Sequence, residues 1–173
     1  MIPTPSIDEM LAQVVAREGP FVHLAADRGG STNWGITAST LAAWRRKPVS
    51  DDDVKALTQA EALTIYRTLY FDRPGFAKLP RALQPLMLDF GVNSGPPLAV
   101  RALQECLGLT PDGALGPLTL AAVEHACFHD DASHLLTALS KWRVMMLTRL
   151  VRRDPMQLTF LAGWMSRTLS FIP

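Results

Sequence analysis

Cysteine is scarce in this chain: of 173 residues only Cys106 and Cys127 are cysteines, and neither belongs to a CxxC pair. So few thiols exclude a disulfide framework and a zinc knuckle, and two free thiols buried in apolar surroundings are expected. Excess charge is also lacking. Lys and Arg number 17 against 16 Asp and Glu, giving a net charge of +1 and a pI of about 7.9. No overall field therefore points to nucleic acid. Two basic clusters, "WRRK" at 44–47 and "RLVRR" at 149–153, read as solvated helix ends, with weak attraction to an anionic polymer as the other reading. The longest apolar region, about 135–150, is broken by Lys141, Arg143 and Arg149, which excludes an ordinary membrane span. "MIPTPSIDEM" has no basic start followed by an apolar stretch, so no secretory signal is expected and synthesis in the cytoplasm is. No GxSxG elbow, Walker loop or GxGxxG fingerprint occurs. Serine hydrolase and nucleotide-binding readings fall away with them.

What is present reads mostly as helix. Ser6 followed by Glu9 forms a capping box, and Ile7, Met10, Leu11, Val14 and Val15 then recur at helical spacing. Ser50 with Asp53 can open a short helix, and Thr58 with Glu61 predicts another capping box before "ALTIYRTLY", with Leu63, Tyr66, Leu69 and Tyr70 facing inward. "PRALQPLMLDFGVNSG" at 80–95 reads as a buried helix ending at Gly91 or near Asn93, and "LAVRALQECLG" starts the next. Pro117 suits the first position of a further helix. Two amphipathic helices separated by "RRDP" complete the chain. Any β-structure is a small hairpin within 21–36, where glycines and short polar residues interrupt helical spacing. The natural seam is "SGPP" at 94–97.

The stretch "REGPFVHLAADRGGSTNWGIT" at 17–37 carries the chemistry. One further step along the apolar stripe of the first helix lands on Glu18, before Gly19 and Pro20 end the helix. Burial there and the negative end of the helix dipole would both favour the neutral acid. A neutral carboxylic acid is what protonation of a departing glycosidic oxygen needs; the plain alternative is a glutamate that merely ends a helix. Gly29 and Gly30 let the following loop turn back, so that Asp27 and Thr32 can face Glu18. Asp27 could orient water or stabilise charge on a sugar ring, or it could close an Asx-turn. Trp34 lies in the polar glycine run and suits stacking on a sugar, whereas Trp44, Trp142 and Trp164 fit apolar stripes and are expected in the core. His125, His129, Cys127 and His134 could in principle hold a transition metal, but their loop-rich surroundings favour a solvated helix end.

These residues resemble the signature of the glycoside hydrolase family 108 muramidases, in which a glutamate and glycine lead into an aspartate, a paired glycine, a threonine and a "GIT" ending. The resemblance continues through "EALTIYRTLYFDRP", "LPRALQPLMLDFGVNSGP", "AVRALQECLGL", "DGALGPLT" and "FLAGWMSR", nearly the whole chain. Pro20, "VHLAAD", Arg28 and Phe71 depart from the family pattern, while Glu18, Asp27 and Thr32 stand. The resemblance implies a mainly α, lysozyme-like helical fold, with residues 1–93 as the catalytic region and 94–173 as a helical peptidoglycan-binding region packed against it in one globule. It implies cleavage of peptidoglycan glycan strands between N-acetylmuramic acid and N-acetylglucosamine, with Glu18 as the acid, Asp27 positioning water or balancing charge, and Thr32 supporting that water. Asn33, Trp34, Tyr66, Asp89 and Asn93 become candidate groove residues; Tyr66 and Asp89 equally suit internal packing and hydrogen bonding, and Asn93 a helix cap. No metal or organic cofactor is called for. The expected protein is a monomeric endolysin of phage or prophage type, released through a holin or a dedicated export route to act in the periplasm or on the wall. A lytic transglycosylase using the same Glu18, and a non-catalytic wall-binding module, are the alternatives.

Overall fold

The computed structural model describes residues 5–18, 21–23, 31–128 and 132–172. Among these the chain is mainly α, with a single three-stranded antiparallel sheet in the order β1-β2-β3. The contacts group it into two compact units with the border between Leu69 and Tyr70.

The first unit holds α1 (Ile7–Glu18), the sheet, α2 (Ala38–Arg45), α3 (Asp51–Lys55) and α4 (Gln59–Arg67). The expected capping box opens α1: the Ser6 hydroxyl accepts from the Glu9 amide at 3.2 Å, and the Ser6 amide donates back to the Glu9 carboxylate at 2.7 Å. Met10, Leu11, Val14 and Val15 are buried, as their spacing requires. A second full box, Ser50 with Asp53, opens α3. Before α4 only half a box forms. Thr58 accepts from the Glu61 amide, but the Glu61 carboxylate is drawn to Arg45, whose Nε and Nη2 donate to it at 3.0 and 2.8 Å. A bidentate guanidinium outcompetes a single backbone amide for that carboxylate. Arg45, read above as part of a solvated helix end, is therefore a tie between α2 and α4.

The sheet pairs β1 (Val22–His23) with β2 (Ser31–Asn33), and β2 with β3 (Ile36–Thr37). Ser31 and Asn33 point inward from β2. The Ser31 hydroxyl donates to Asp51 at 2.7 Å. The Asn33 side-chain amide is shared among the carbonyls of Val54, Lys55 and Leu57 at 3.0 to 3.3 Å, so one residue stitches the hairpin to the end of α3. Asn33→Ala leaves these buried carbonyls short of a donor and is expected to cost about 2 kcal/mol, read from urea unfolding.

The inward face of α4 is only in part the predicted one, Tyr66 being inside as expected. Ala62, Ile65 and Tyr66 are buried, and Leu63, Leu69 and Tyr70 only half so. A π-helical turn, Thr68–Asp72, follows α4 and advances the helical phase by one residue, which carries Phe71 inward.

The second unit is built on α5 (Gln84–Ser94), buried without interruption from Pro85 to Gly91. A helix buried on all sides is a central helix. Around it lie α6 (Pro96–Cys106), α7 (Pro117–Ala126), α8 (Ser133–Arg153) and α9 (Leu158–Leu169). Pro117 takes the first position of α7 as expected. The turn before it is held by buried Gln104, whose amide donates to Asp112, the Ala114 carbonyl and Thr119 while its carbonyl accepts from the Gly113 amide. Neither cysteine is in a disulfide, both are half-buried, and burial pushes the Cys106 thiol up to about 11. Trp44, Trp142 and Trp164, expected in the core, are half-buried. Trp142 keeps its indole N–H on the Glu105 carboxylate at 2.8 Å, and that polar handle holds one edge outward.

Three carboxyls lie below the ordinary carboxylate range because backbone amides donate to them: Glu9 from Ser6, Asp53 from Ser50 and Asp112 from Ala114. Such depressed groups add stability above their unfolded values that is lost as pH falls through their folded ones. The melting temperature is thus expected to be flat near neutrality and to fall below about pH 4, as followed by circular dichroism.

Candidate active site

Three elements of the first unit converge on the turn between β2 and β3. Asn33 pairs with Ile36, so Trp34 and Gly35 form a two-residue hairpin loop, with φ of 54° and 73°. Both central residues at positive φ define a type I′ turn, whose twist suits a tight antiparallel hairpin. Gly35 is required there for a second reason. A β-carbon built on it would lie 2.4 Å from the Tyr66 hydroxyl oxygen and 2.8 Å from Cγ of Glu18. The last residue of α1, the hairpin turn and α4 therefore touch at one position that has room only for hydrogen.

Glu18 is thus held by its stem. The apolar stripe expected to carry it into the core stops at Val15, which is fully buried, while Ala16, Arg17 and Glu18 are exposed. The expected greasy niche is corrected accordingly: the last turn of α1 leaves the core, Gly35 and Tyr66 flank the Glu18 stem, and the carboxyl group meets solvent. Tyr66 itself is 4% exposed, with its ring in the core and its hydroxyl at the hairpin.

The remaining candidates fall in different places. Thr32 is half-buried and, by strand alternation, lies on the face of β2 opposite Ser31 and Asn33. Asn33 is 5% exposed and its amide is committed to the α3 carbonyls. Trp34 sits half-buried at the hairpin tip, in a left-handed conformation that costs a non-glycine residue about 1 kcal/mol or more. Asp27 lies outside the described residues. Asp89 belongs to the second unit, where Arg143 and Arg167 grip its two oxygens at 2.6 and 2.5 Å. Asn93 is exposed in the last turn of α5 and donates to the Asp89 carbonyl at 2.7 Å. Of the metal candidates, His125 lies on α7 and His134 on α8, and His129 is outside the described residues. Among the described residues no group of three or more His, Cys, Asp or Glu is placed to hold a metal.

Gly35 is the residue that sequence reasoning missed. The usual signal for such a turn is Asn-Gly or Asp-Gly, and here Trp34 occupies the first position. Gln104 was missed because its partners lie 8 to 15 residues away across an irregular turn.

Comparison with known proteins gives the family. The family model described as "Glycosyl hydrolase 108" matches residues 11–95, and that described as "Predicted Peptidoglycan domain" matches residues 98–169. The chain belongs to glycosyl hydrolase family 108 and is a glycoside hydrolase that degrades cell-wall peptidoglycan. It is similar to the solved structure of Brucella abortus SagA, with 35% identity and a TM-score of 0.74 over 94% of this chain and 93% of that one. No curated protein matches the sequence. The hydrolase match runs beyond Leu69 to residue 95, so α5 is part of the family segment by sequence, and it packs with α6 in the second unit.

Proposed function

We propose that the chain is an N-acetylmuramidase that hydrolyses the bond between N-acetylmuramic acid and N-acetylglucosamine, with Glu18 as general acid. The observation that carries this reading is the seat of Glu18: an exposed glutamate whose stem packs against the Gly35 hairpin turn, where the Tyr66 hydroxyl also arrives, is oriented yet open to a polymeric substrate. Glu18 gives its proton to the departing glycosidic oxygen as the C1–O bond breaks, and positive charge spreads over the muramic ring. Water adds at C1, and its proton returns the acid to its starting form. Asp27 and Thr32 take the roles of balancing charge and supporting water. Trp34, strained at the hairpin tip, is the platform for a sugar ring, as stored strain at a binding site would suggest. Asn33 and Asp89 serve as scaffold, since their polar atoms are already bonded within their units. No helix among the described residues is long and apolar enough to cross a membrane. The enzyme is a monomer that reaches the wall through a holin or a dedicated export route.

Gly35→Ala tests the seat. The added methyl meets the Tyr66 hydroxyl and the Glu18 stem and imposes a positive φ on alanine, so stability is expected to fall by about 1–3 kcal/mol. Moving the acid by about 1 Å is expected to cost about 100-fold in wall clearing by the folded fraction. Mass spectrometry of digested sacculi tests the bond and the reaction: N-acetylmuramic acid at new reducing ends is expected. Anhydromuramic ends would make the enzyme a lytic transglycosylase, and the absence of fragments would make it a wall-binding module.

A further inference from the structure

The segment "FLAGWMSR" places Phe160, Trp164 and Arg167 at i, i+4 and i+7 of α9, on one stripe of the helix. Phe160 is 54% exposed and its ring stacks on Trp164, centroids 5.8 Å apart and planes 29° apart. Arg167 is held rigidly beside them. Its Nε donates to Asp89, and its side chain keeps 23% of its surface open. The other Asp89 oxygen accepts from Arg143, which is 4% exposed and also lies over the Phe90 ring, 5.0 Å from its centroid. One carboxylate thus faces two guanidiniums. Among the described residues the cluster is one negative charge short, and the buried Nε of Arg143 has no acceptor. Of the two arginines, Arg167 is the one that reaches the surface.

We propose that this stripe is the wall-binding surface of the second unit, with the Phe160–Trp164 pair against the face of a glycan sugar and Arg167 holding a carboxylate of the peptide stems. The proposal rests on the peptidoglycan hydrolase reading for its substrate class. A stacked aromatic pair presents the flat apolar surface that sugar C–H faces fit. A guanidinium already oriented by Asp89 loses little rotamer freedom when it takes a second carboxylate. The end of α8 that leads into α9 is basic, which suits an acidic peptide. Arg149, Arg152 and Arg153 are exposed nearby in sequence, and the single acidic residue after them, Asp154, is engaged with the Met156 amide and the Gln157 side chain.

The test is equilibrium binding of the full chain at 4 °C, where cutting is slow, to immobilised glycan strands prepared with and without their peptide stems. Arg167→Gln, which leaves Asp89 paired with Arg143, is expected to weaken binding to peptide-bearing strands about tenfold and to leave peptide-free strands unaffected. Arg167→Lys is expected to restore part of the loss. Phe160→Ala, at an exposed position that does not threaten folding, is expected to weaken both. Equal weakening of both strands by Arg167→Gln, or no effect of Phe160→Ala, overturns the assignment. So does binding to anionic phospholipid vesicles, or a change in solution mass, that Phe160→Ala abolishes while strand binding is kept. Release of reducing ends by the parent is scored separately: binding without release leaves this surface standing and removes the hydrolase, whereas release without discrimination does the reverse.

Discussion

Asp89→Ala is expected to melt the second unit about 10 °C or more below the parent. The carboxylate sits on the central helix and holds Arg143 of α8 and Arg167 of α9, at 2.6 and 2.5 Å. Removing it leaves two guanidiniums facing each other, one of them almost wholly buried. Loss of one partner from a buried ion pair costs about 3–5 kcal/mol, because the remaining charge keeps its desolvation penalty without its compensation. Alanine also removes packing volume, so Asp89→Asn, which keeps shape and some hydrogen bonding, is expected to fall between the two. Thermal unfolding by circular dichroism checks this. A loss below about 1 kcal/mol would mean that water reaches the cluster and solvates the arginines.

Glu18→Gln is expected to do the opposite: to remove catalysis and spare the fold. Its side chain is exposed and its amide isostere keeps the stem against Gly35 and Tyr66. Stability is therefore expected to change by no more than about 0.5 kcal/mol, as is usual for surface positions. The rate is another matter, since an amide has no proton to give to a leaving glycosidic oxygen. General acid catalysis alone contributes about 100- to 10,000-fold. Clearing of a sacculus suspension, compared at equal folded concentration, is the measurement. Glu18→Asp shortens the stem and withdraws the acid from the seat, so it is expected to lose a large part of the same rate.

Local grammar carried much of the fold. The Ser6–Glu9 and Ser50–Asp53 boxes, Pro117 at the head of α7 and the hairpin within 21–36 all follow from interactions spanning a few residues. Where a distant side chain competes, sequence reading fails. Glu61 abandons its cap because Arg45, 16 residues earlier, binds it better. Beyond α4 the inward side passes to Phe71 and away from Leu69 and Tyr70 because a π-helical turn changes the phase after Arg67, and no residue type announces such a turn. The candidate site divides in the same way. Glu18 and Trp34 stand out by their surroundings in the chain and Tyr66 by the family resemblance, but the role of Gly35 depends on α1 and α4 meeting the hairpin. The arginines on Asp89 come from 54 and 78 residues away. That Trp164 stacks on exposed Phe160 rather than entering the core follows from how little of α9 is buried, with only Thr168 fully inside.

The most direct measurement is the count of new N-acetylmuramic acid reducing ends, after borohydride reduction, in sacculi treated with parent protein and with Glu18→Gln protein of matching melting temperature. The parent is expected to generate them steadily and the variant to remain at the level of untreated wall. Reducing ends appearing at the parent's rate from Glu18→Gln would contradict the assignment and move the acid to another residue.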